Sequence, residues 1–472
     1  MEALESDHQR LKADGRTTSS LHISAGDLGA KSFRKRYNLK YAYLAGSMYR
    51  GISSKEMVVA LGQAKLMGFL GTAALSLTQI EDDIKYIGSH LAKEQGFGVN
   101  LICHLSNPSI EMERVSLFLQ LGIRCVEAAA FMLITPALVL FRTKGLRKGA
   151  NGVICDNRII AKVSRPEVAQ AFLSPAPADI VQILFDEGKI SAEQAQMAQK
   201  IPMSHDICVE SDSGGHTDQG VASVLFPVIE QLRNEATRQF SGDEPIHVGL
   251  AGGIGTPNAV VSAFMMGADF VLTGSINQCT VESGASSAVK DLLEKINVQD
   301  TDYAPAGDMF EIGARVQVLK KGVLFPARAN KLYQLYKHYD SWEGIPVSIQ
   351  RQLEKNYFKK AFDQVWSEVI DYHMGKGQSV TIKEAENNQK HKMALVFRWY
   401  FAYANRLSFS GDLRFQTDFQ VHTGPALGAF NQWVKNSDMA FWRNRNVDKV
   451  AEKLMEASAE KLTQQIKNIL AR

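Results

Sequence analysis

The sequence predicts an α/β protein: a closed (β/α)8 barrel carrying an additional helical domain. Three observations predict it. The chain has 472 residues, more than one hydrophobic core serves, so a barrel of about 250–300 residues with a smaller attached unit is expected. From about Tyr41 onward, short apolar runs alternate with helix-length amphipathic stretches, the pattern of parallel strands joined by crossover helices. Glycine-rich runs then follow the last two apolar runs, where such barrels commonly hold phosphate.

Taken in order, the strand candidates are Ala42–Ser47, Phe69–Leu75, Phe97–Cys103, Ile123–Ala130, Arg158–Val163, Asp206–Glu210, Ile246–Leu250 and Phe270–Thr273. Most are continuously apolar, as strands buried on both faces must be. Ser53-x-x-Glu56 and Thr78-x-x-Glu81 read as capping boxes at helix starts. Asn107-Pro108 and Thr256-Pro257 place proline at a first helical position, and Gly68, Gly96 and Gly122 sit where helices need a left-handed terminus. Periodicity alone leaves a doubly wound open sheet as the alternative to closure.

The expected organisation is an N-terminal arm over residues 1–40 and a barrel over 41–328. A helical insertion lies at about 177–202, where Ala178–Lys200 reads as a helical pair hinged on Gly188, and a helix-rich region covers 329–472. Its last helix, 447–470, has the character of a segment that packs back on the barrel.

Composition is 45% hydrophobic and 22% charged with net charge +3, which is ordinary for a globular protein and implies no nucleic-acid partner. The first forty residues hold no apolar run of signal-peptide length and no stretch approaches membrane-span length, so a cytoplasmic protein with no membrane role is expected. Five widely spaced cysteines, Cys103, Cys125, Cys155, Cys208 and Cys279, read as buried free thiols. The cluster Lys31, Arg34, Lys35, Arg36 and Lys40 reads first as a solvated basic arm, second as a contact for an acidic partner.

In a barrel of this kind the site lies at the C-terminal ends of the strands. The seventh strand runs into Ala251-Gly252-Gly253-Ile254-Gly255-Thr256-Pro257, and the eighth into Thr273-Gly274-Ser275. Glycines there let backbone N–H groups approach a phosphate at a helix start; tight packing turns are the other use of such segments, but their coincidence at both positions favours phosphate. The sixth strand leads into Glu210-Ser211-Asp212-Ser213-Gly214-Gly215-His216, bringing an imidazole able to exchange a proton near neutral pH, or simply to bond loop backbone. Lys162, near the end of the fifth strand, either points a cation into the mouth or snorkels to the rim. Gly46, Ser47 and Met48 after the first strand, Gly71 after the second and Asn100 on the third put small residues and one amide at the same mouth, where a flat ring could lie against backbone or, equally, the glycines serve only turn geometry. Other histidines, His104, His205, His247 and His422 among them, show no metal-ligand spacing and are assigned no chemistry.

Asp212-Ser213-Gly214-Gly215-His216, Ala251-Gly252-Gly253-Ile254 and Gly274-Ser275 together resemble the flavin-mononucleotide barrels related to nitronate monooxygenase. Gly98-Val99-Asn100-Leu101, Ile201-Pro202-Met203, Asp308-Met309-Phe310-Glu311, the run Leu324–Tyr333 and the run Gly424–Asn431 resemble more specifically the trans-acting, PfaD-type enoyl reductases of polyketide and polyunsaturated fatty-acid synthases. The resemblance implies FMN as cofactor, NADPH as hydride donor, and reduction of an enoyl thioester on an acyl carrier protein within a synthase. A helical substrate-binding domain and a homodimer are expected with it. It places FMN phosphate at Gly252, Gly253, Gly274 and Ser275, the flavin at Asn100 and Lys162, and the active-site histidine at His216. Local departures at Cys103–Pro108 and Phe419–Thr423 bear on substrate preference. Rival expectations are a nitronate monooxygenase, a flavin-free phosphate-binding isomerase or aldolase, and a non-catalytic synthase scaffold.

Overall fold

The structure, a computed structural model, describes residues 21–104, 107–150, 152–240 and 245–471. Leu105 and Ser106 of the run after the third strand lie outside the described residues. Eight parallel strands form the barrel: β1 (Tyr43–Ala45), β2 (Met67–Leu70), β3 (Gly98–Ile102), β4 (Cys125–Ala129), β5 (Arg158–Val163), β6 (Asp206–Glu210), β7 (His247–Ala251) and β8 (Val271–Thr273). Each expected run overlaps its strand. Closure is explicit, because Ala45 of β1 stands opposite Thr273 of β8 on one side and Gly68 of β2 on the other.

Helix starts follow the expected chemistry with shifted residues. Ser54, not Ser53, caps Lys55–Gln63 by accepting from the Met57 N–H, and Ser76, not Thr78, caps Leu77–His90 through Gln79 N–H. Ser53 is buried instead and donates to the Gly46 carbonyl at 3.0 Å. Pro108 and Pro257 occupy first helical turns as expected, and Gly122 takes the left-handed turn at φ 71°. Gly68 and Gly96 do not. Gly68 lies inside β2, where a side chain would collide with Leu61 at 2.7 Å, and Lys65 (φ 57°) makes the preceding turn.

The basic N-terminal segment is no solvated arm. Helix α1 (Lys31–Tyr37) carries Phe33 and Tyr37 four residues apart, one turn of a helix, and both are buried under the barrel. Phe33 stacks on Phe270 at 4.2 Å. Arg36 follows them inward and pairs with wholly buried Asp206 at 2.7 Å, at the start of β6, where Tyr37 Oη also donates to Asp206 at 2.6 Å. A buried carboxylate needs such partners.

The expected helical pair before β6 is present as Ala178–Asp186 and Ala192–Ala198, with Gly188 at φ 67° between them. Beyond the barrel the sequence reading missed a hairpin, β9 (Thr301–Pro305) and β10 (Arg315–Leu319), whose second strand also pairs with the short strand Gly215–His216. Long helices then build a second aromatic core around Phe310, Phe325, Phe358, Phe397 and Tyr400. The final helix, α2 (Val447–Leu470), returns to the barrel: Lys40 pairs with Glu452 at 2.6 Å and Ile23 N–H donates to Thr463 Oγ1 at 3.1 Å. None of the five cysteines is paired, and all but Cys103 are buried. No helix among the described residues is long and apolar enough to cross a membrane.

Candidate active site

The loops after β7 and β8 are shaped by their glycines. Gly252 (φ 88°) and Gly253 (φ 71°) both take left-handed backbone. A side chain on Gly252 would begin 2.4 Å from Ser211 Oγ, so the loops after β6 and β7 are pressed together. At Gly253 and Gly274 the opposite holds: no atom lies within 4 Å of where a side chain would start. Ser275 opens a short helix, Ser275–Gln278, and its hydroxyl accepts from the Gly424 N–H at 3.0 Å.

At the ends of β1 to β5 the organising group is one the sequence reading did not select, Glu127 of β4, which is fully buried. Its Oε2 accepts from Ser47 N–H at 2.9 Å, and its own carbonyl accepts from Asn100 Nδ2 at 3.3 Å. Gly46 lies against it, and Met48, after Ser47, packs its carbonyl where a side chain on Gly71 would collide at 1.9 Å. Its Oε1 has no hydrogen-bond partner. Lys162 points into the mouth, 3.2 Å from Glu210 and 3.9 Å from Glu127 Oε1. Burial works to lower the lysine's pKa, but the two carboxylates outweigh it and raise the pKa, so Lys162 is a fixed cation. A lone acidic residue inside the apolar run Cys125–Ala129 was the available signal for Glu127.

The third group lies at the edge of the mouth. His216 stands on the short strand that pairs with β10, and its Nε2 donates to Asp308 Oδ1 at 2.9 Å. Desolvation opposes the imidazolium, yet the hydrogen bond and charge of Asp308 prevail and raise the His216 pKa. His422 lies within electrostatic reach of both; burial first, then the positive charge of His216, lower its pKa to about 4. Gln420 Nε2 lies 2.7 Å from its ring Nε2, and the Tyr49 ring centroid is 6.3 Å away. The two imidazoles are thus shifted in opposite directions, His216 upward by Asp308 and His422 downward by burial. The sequence shows no metal-ligand spacing around His422, and His216, Asp308 and Tyr49 reach it from positions far along the chain.

Gly214 joins the histidine edge to the phosphate-like loops, since a side chain there would meet Thr423 and Gly424 backbone at 2.7 to 2.8 Å, while Gly215 lies beside His422. The expected residues therefore form one mouth. It fits the FMN that the sequence resemblance implies. Open ground at Gly253 and Gly274 admits a phosphate, and Lys162 with the unpartnered Glu127 oxygen presents polar partners to a ring.

Known proteins share this architecture. Residues 339–419 match the family described as acyl-carrier-protein S-malonyltransferase, inserted helical domain. The enoyl reductase domain of MlnA, from the macrolactin biosynthesis cluster of Bacillus amyloliquefaciens, is 43% identical with a TM-score of 0.90, covering 94% of this chain and 100% of that one. The polyketide biosynthesis protein PksE of Bacillus subtilis is 52% identical over 95% of this chain, and ThaF of Burkholderia thailandensis 47% over 94%. The chain spans 58% and 38% of the lengths of these two relatives.

Proposed function

Because the chain belongs to the family of trans-acting enoyl reductases of polyketide and polyunsaturated fatty-acid synthases, we propose that it is an FMN-dependent enoyl reductase acting on acyl-carrier-bound thioesters. NADPH is the reductant. The observation that carries this reading is the likeness to the MlnA enoyl reductase domain along that domain's whole length. When bound, FMN supplies a relay of hydride from NADPH to the β-carbon of the enoyl group.

The chain's own residues supply the rest. Gly252, Gly253, Gly274 and Ser275 hold the phosphate, and Gly46, Ser47, Met48 and Asn100 line the ring with backbone and amide groups. Lys162 places a fixed positive charge where reduction adds negative charge, a stabilisation that needs no reorganisation at the moment of reaction. His216, whose imidazolium form Asp308 favours, gives its proton to the α-carbon of the substrate and is held there by the three-stranded sheet. His422 remains neutral and orients the thioester.

The carrier protein approaches from the helical region. Lys337, Arg351, Lys355 and Lys359 are exposed there, complementary to an acidic carrier helix. The match of residues 339–419 to an insertion found in an acyl-carrier-protein transferase supports this face.

Anaerobic spectroscopy of the purified protein tests the proposal. Bleaching of a flavin spectrum by NADPH, followed by recovery on adding an enoyl thioester, is the expected result. A flavin spectrum indifferent to NADPH, or bleaching that no enoyl thioester reverses, overturns it.

A further inference from the structure

His216 and His422 come from segments 206 positions apart, yet they stand on one edge of one sheet. Val316 of β10 pairs with His216, and Val318, two residues further on, bridges antiparallel to His422. Residues two apart along a strand share a face, and so do directly opposed partners. The two imidazoles therefore project side by side, about 7 Å apart at the backbone.

The two rings are held differently. His216 is tied to a carboxylate, whereas His422 is tied to an amide. Gln420 is buried, its backbone N–H donates to the Ala404 carbonyl at 3.3 Å, and its Nε2 lies 2.7 Å from His422 Nε2. Its Oε1 is buried without a partner, so the side chain spends its hydrogen bonding on the imidazole. An amide nitrogen only donates, and the ring Nε2 is then the acceptor. A neutral imidazole that accepts at Nε2 carries its proton at Nδ1. Nδ1 is the atom turned towards the segment of His216, since a side chain on Gly215 would begin 3.8 Å from it. No group among the described residues takes a hydrogen bond from Nδ1. Burial, and then the charge of His216, hold the ring neutral down to about pH 4.

We propose that Gln420 fixes His422 as the Nδ1–H tautomer, and that this N–H binds the thioester oxygen of the substrate as negative charge develops there. This rests on the enoyl reductase reading above. Hydride arriving at the β-carbon breaks the carbon–carbon π bond and leaves an enolate whose charge sits on the thioester oxygen. His422 donates a hydrogen bond to that oxygen and keeps its proton. His216 transfers its own proton to the α-carbon, and the carbonyl re-forms. The oxygen and the α-carbon share one carbonyl carbon, so adjacent imidazoles on one sheet edge can serve both. Gln420 touches no substrate and is a positioning residue. The run Phe419–Thr423 thereby gains a role in the chemistry.

The test uses the full chain with 15N-labelled histidine, in which the signals lost in His422→Ala identify the His422 ring. Wild type should show a protonated Nδ1 and a bare Nε2 at neutral pH. Gln420→Met keeps the bulk of the side chain but donates nothing, and the ring should then move towards the Nε2–H form that free imidazoles prefer. With an enoyl thioester, kcat should fall about tenfold in Gln420→Met and about a hundredfold in His422→Ala, the latter being the usual loss on removing one oxyanion donor. KM should stay within about threefold in both, because the bond strengthens only as charge develops. A wild-type ring protonated at Nε2, a Gln420→Met kcat equal to wild type, or a loss confined to KM overturns the inference while leaving the reductase reading intact. Wild-type protein that reduces no enoyl thioester overturns both.

Discussion

His216 and Asp308, 92 positions apart, meet through a 2.9 Å hydrogen bond that ties the loop after β6 to the hairpin β9–β10. The bond sets a proton's address. Because Asp308 raises the His216 pKa, the acid form persists above the ordinary value of 6.5 and is lost as pH rises through the raised value. Asp308→Asn should move the alkaline limb of the enoyl-dependent reoxidation rate to lower pH. A profile unchanged by this variant would sink the acid role. The same sign applies to stability: the pair helps the fold below pH 6.5, down to where Asp308 takes up a proton through its lowered pKa, and stops helping above the raised pKa of His216.

His216→Ala should slow enoyl-dependent reoxidation by about a hundredfold or more, the usual contribution of a positioned acid, while bleaching by NADPH keeps its rate. Rapid-mixing measurement of the two half-reactions separates them. Equal loss in both would point to a damaged flavin site instead.

Gly274→Ala offers a separate check on the phosphate cradle. The new methyl meets no atom within 4 Å, but φ −129° with ψ −77° lies outside the broad regions that other residues favour, so the melting temperature should fall by a few degrees with the fold retained. FMN binding should weaken because the methyl fills the ground a phosphate needs. Tight FMN binding by the folded variant would remove Gly274 from the site.

Lys162→Met strands Glu127 and Glu210 without their cation. With Glu127 fully buried, the loss should be about 3 kcal/mol in denaturant unfolding, and Glu127→Gln added to it should recover part of that loss. The flavin's reduction potential should also fall in Lys162→Met, read by equilibrium titration with a dye of known potential.

Charge reversal at Lys355 and Lys359 should raise the apparent KM for an acyl-carrier-bound enoyl substrate by about tenfold at low salt and leave that for a short pantetheine thioester unchanged. Identical values for both substrates would place carrier docking elsewhere.

Much of the barrel was legible because each of its strands is a local signal. Eight runs of strand length, most of them continuously apolar, announce strands buried on both faces, and the close approach of loops shows at Gly252 and Gly255 after β7. Other features have no local mark. The strand Gly215–His216 exists only because Arg315–Leu319 comes to pair with it, and nothing near His422 in the chain announces Asp308. The basic segment misled for a different reason: its charges dominate a count, whereas Phe33 and Tyr37, one helical turn apart, decide which way the helix faces, and they draw Arg36 under the barrel with them. Capping residues slipped by one or two positions because several hydroxyls near a helix start can each serve, and tertiary packing chooses among them. Ser53 was claimed by Gly46.

The bond from Ile23 to Thr463, with Lys40 on Glu452 nearby, brings the first and last stretches of the described residues to one flank of the barrel. In a longer polypeptide the same layout would make the unit a cassette: neighbours on either side would hang from a single flank, leaving the opposite flank clear of both attachments.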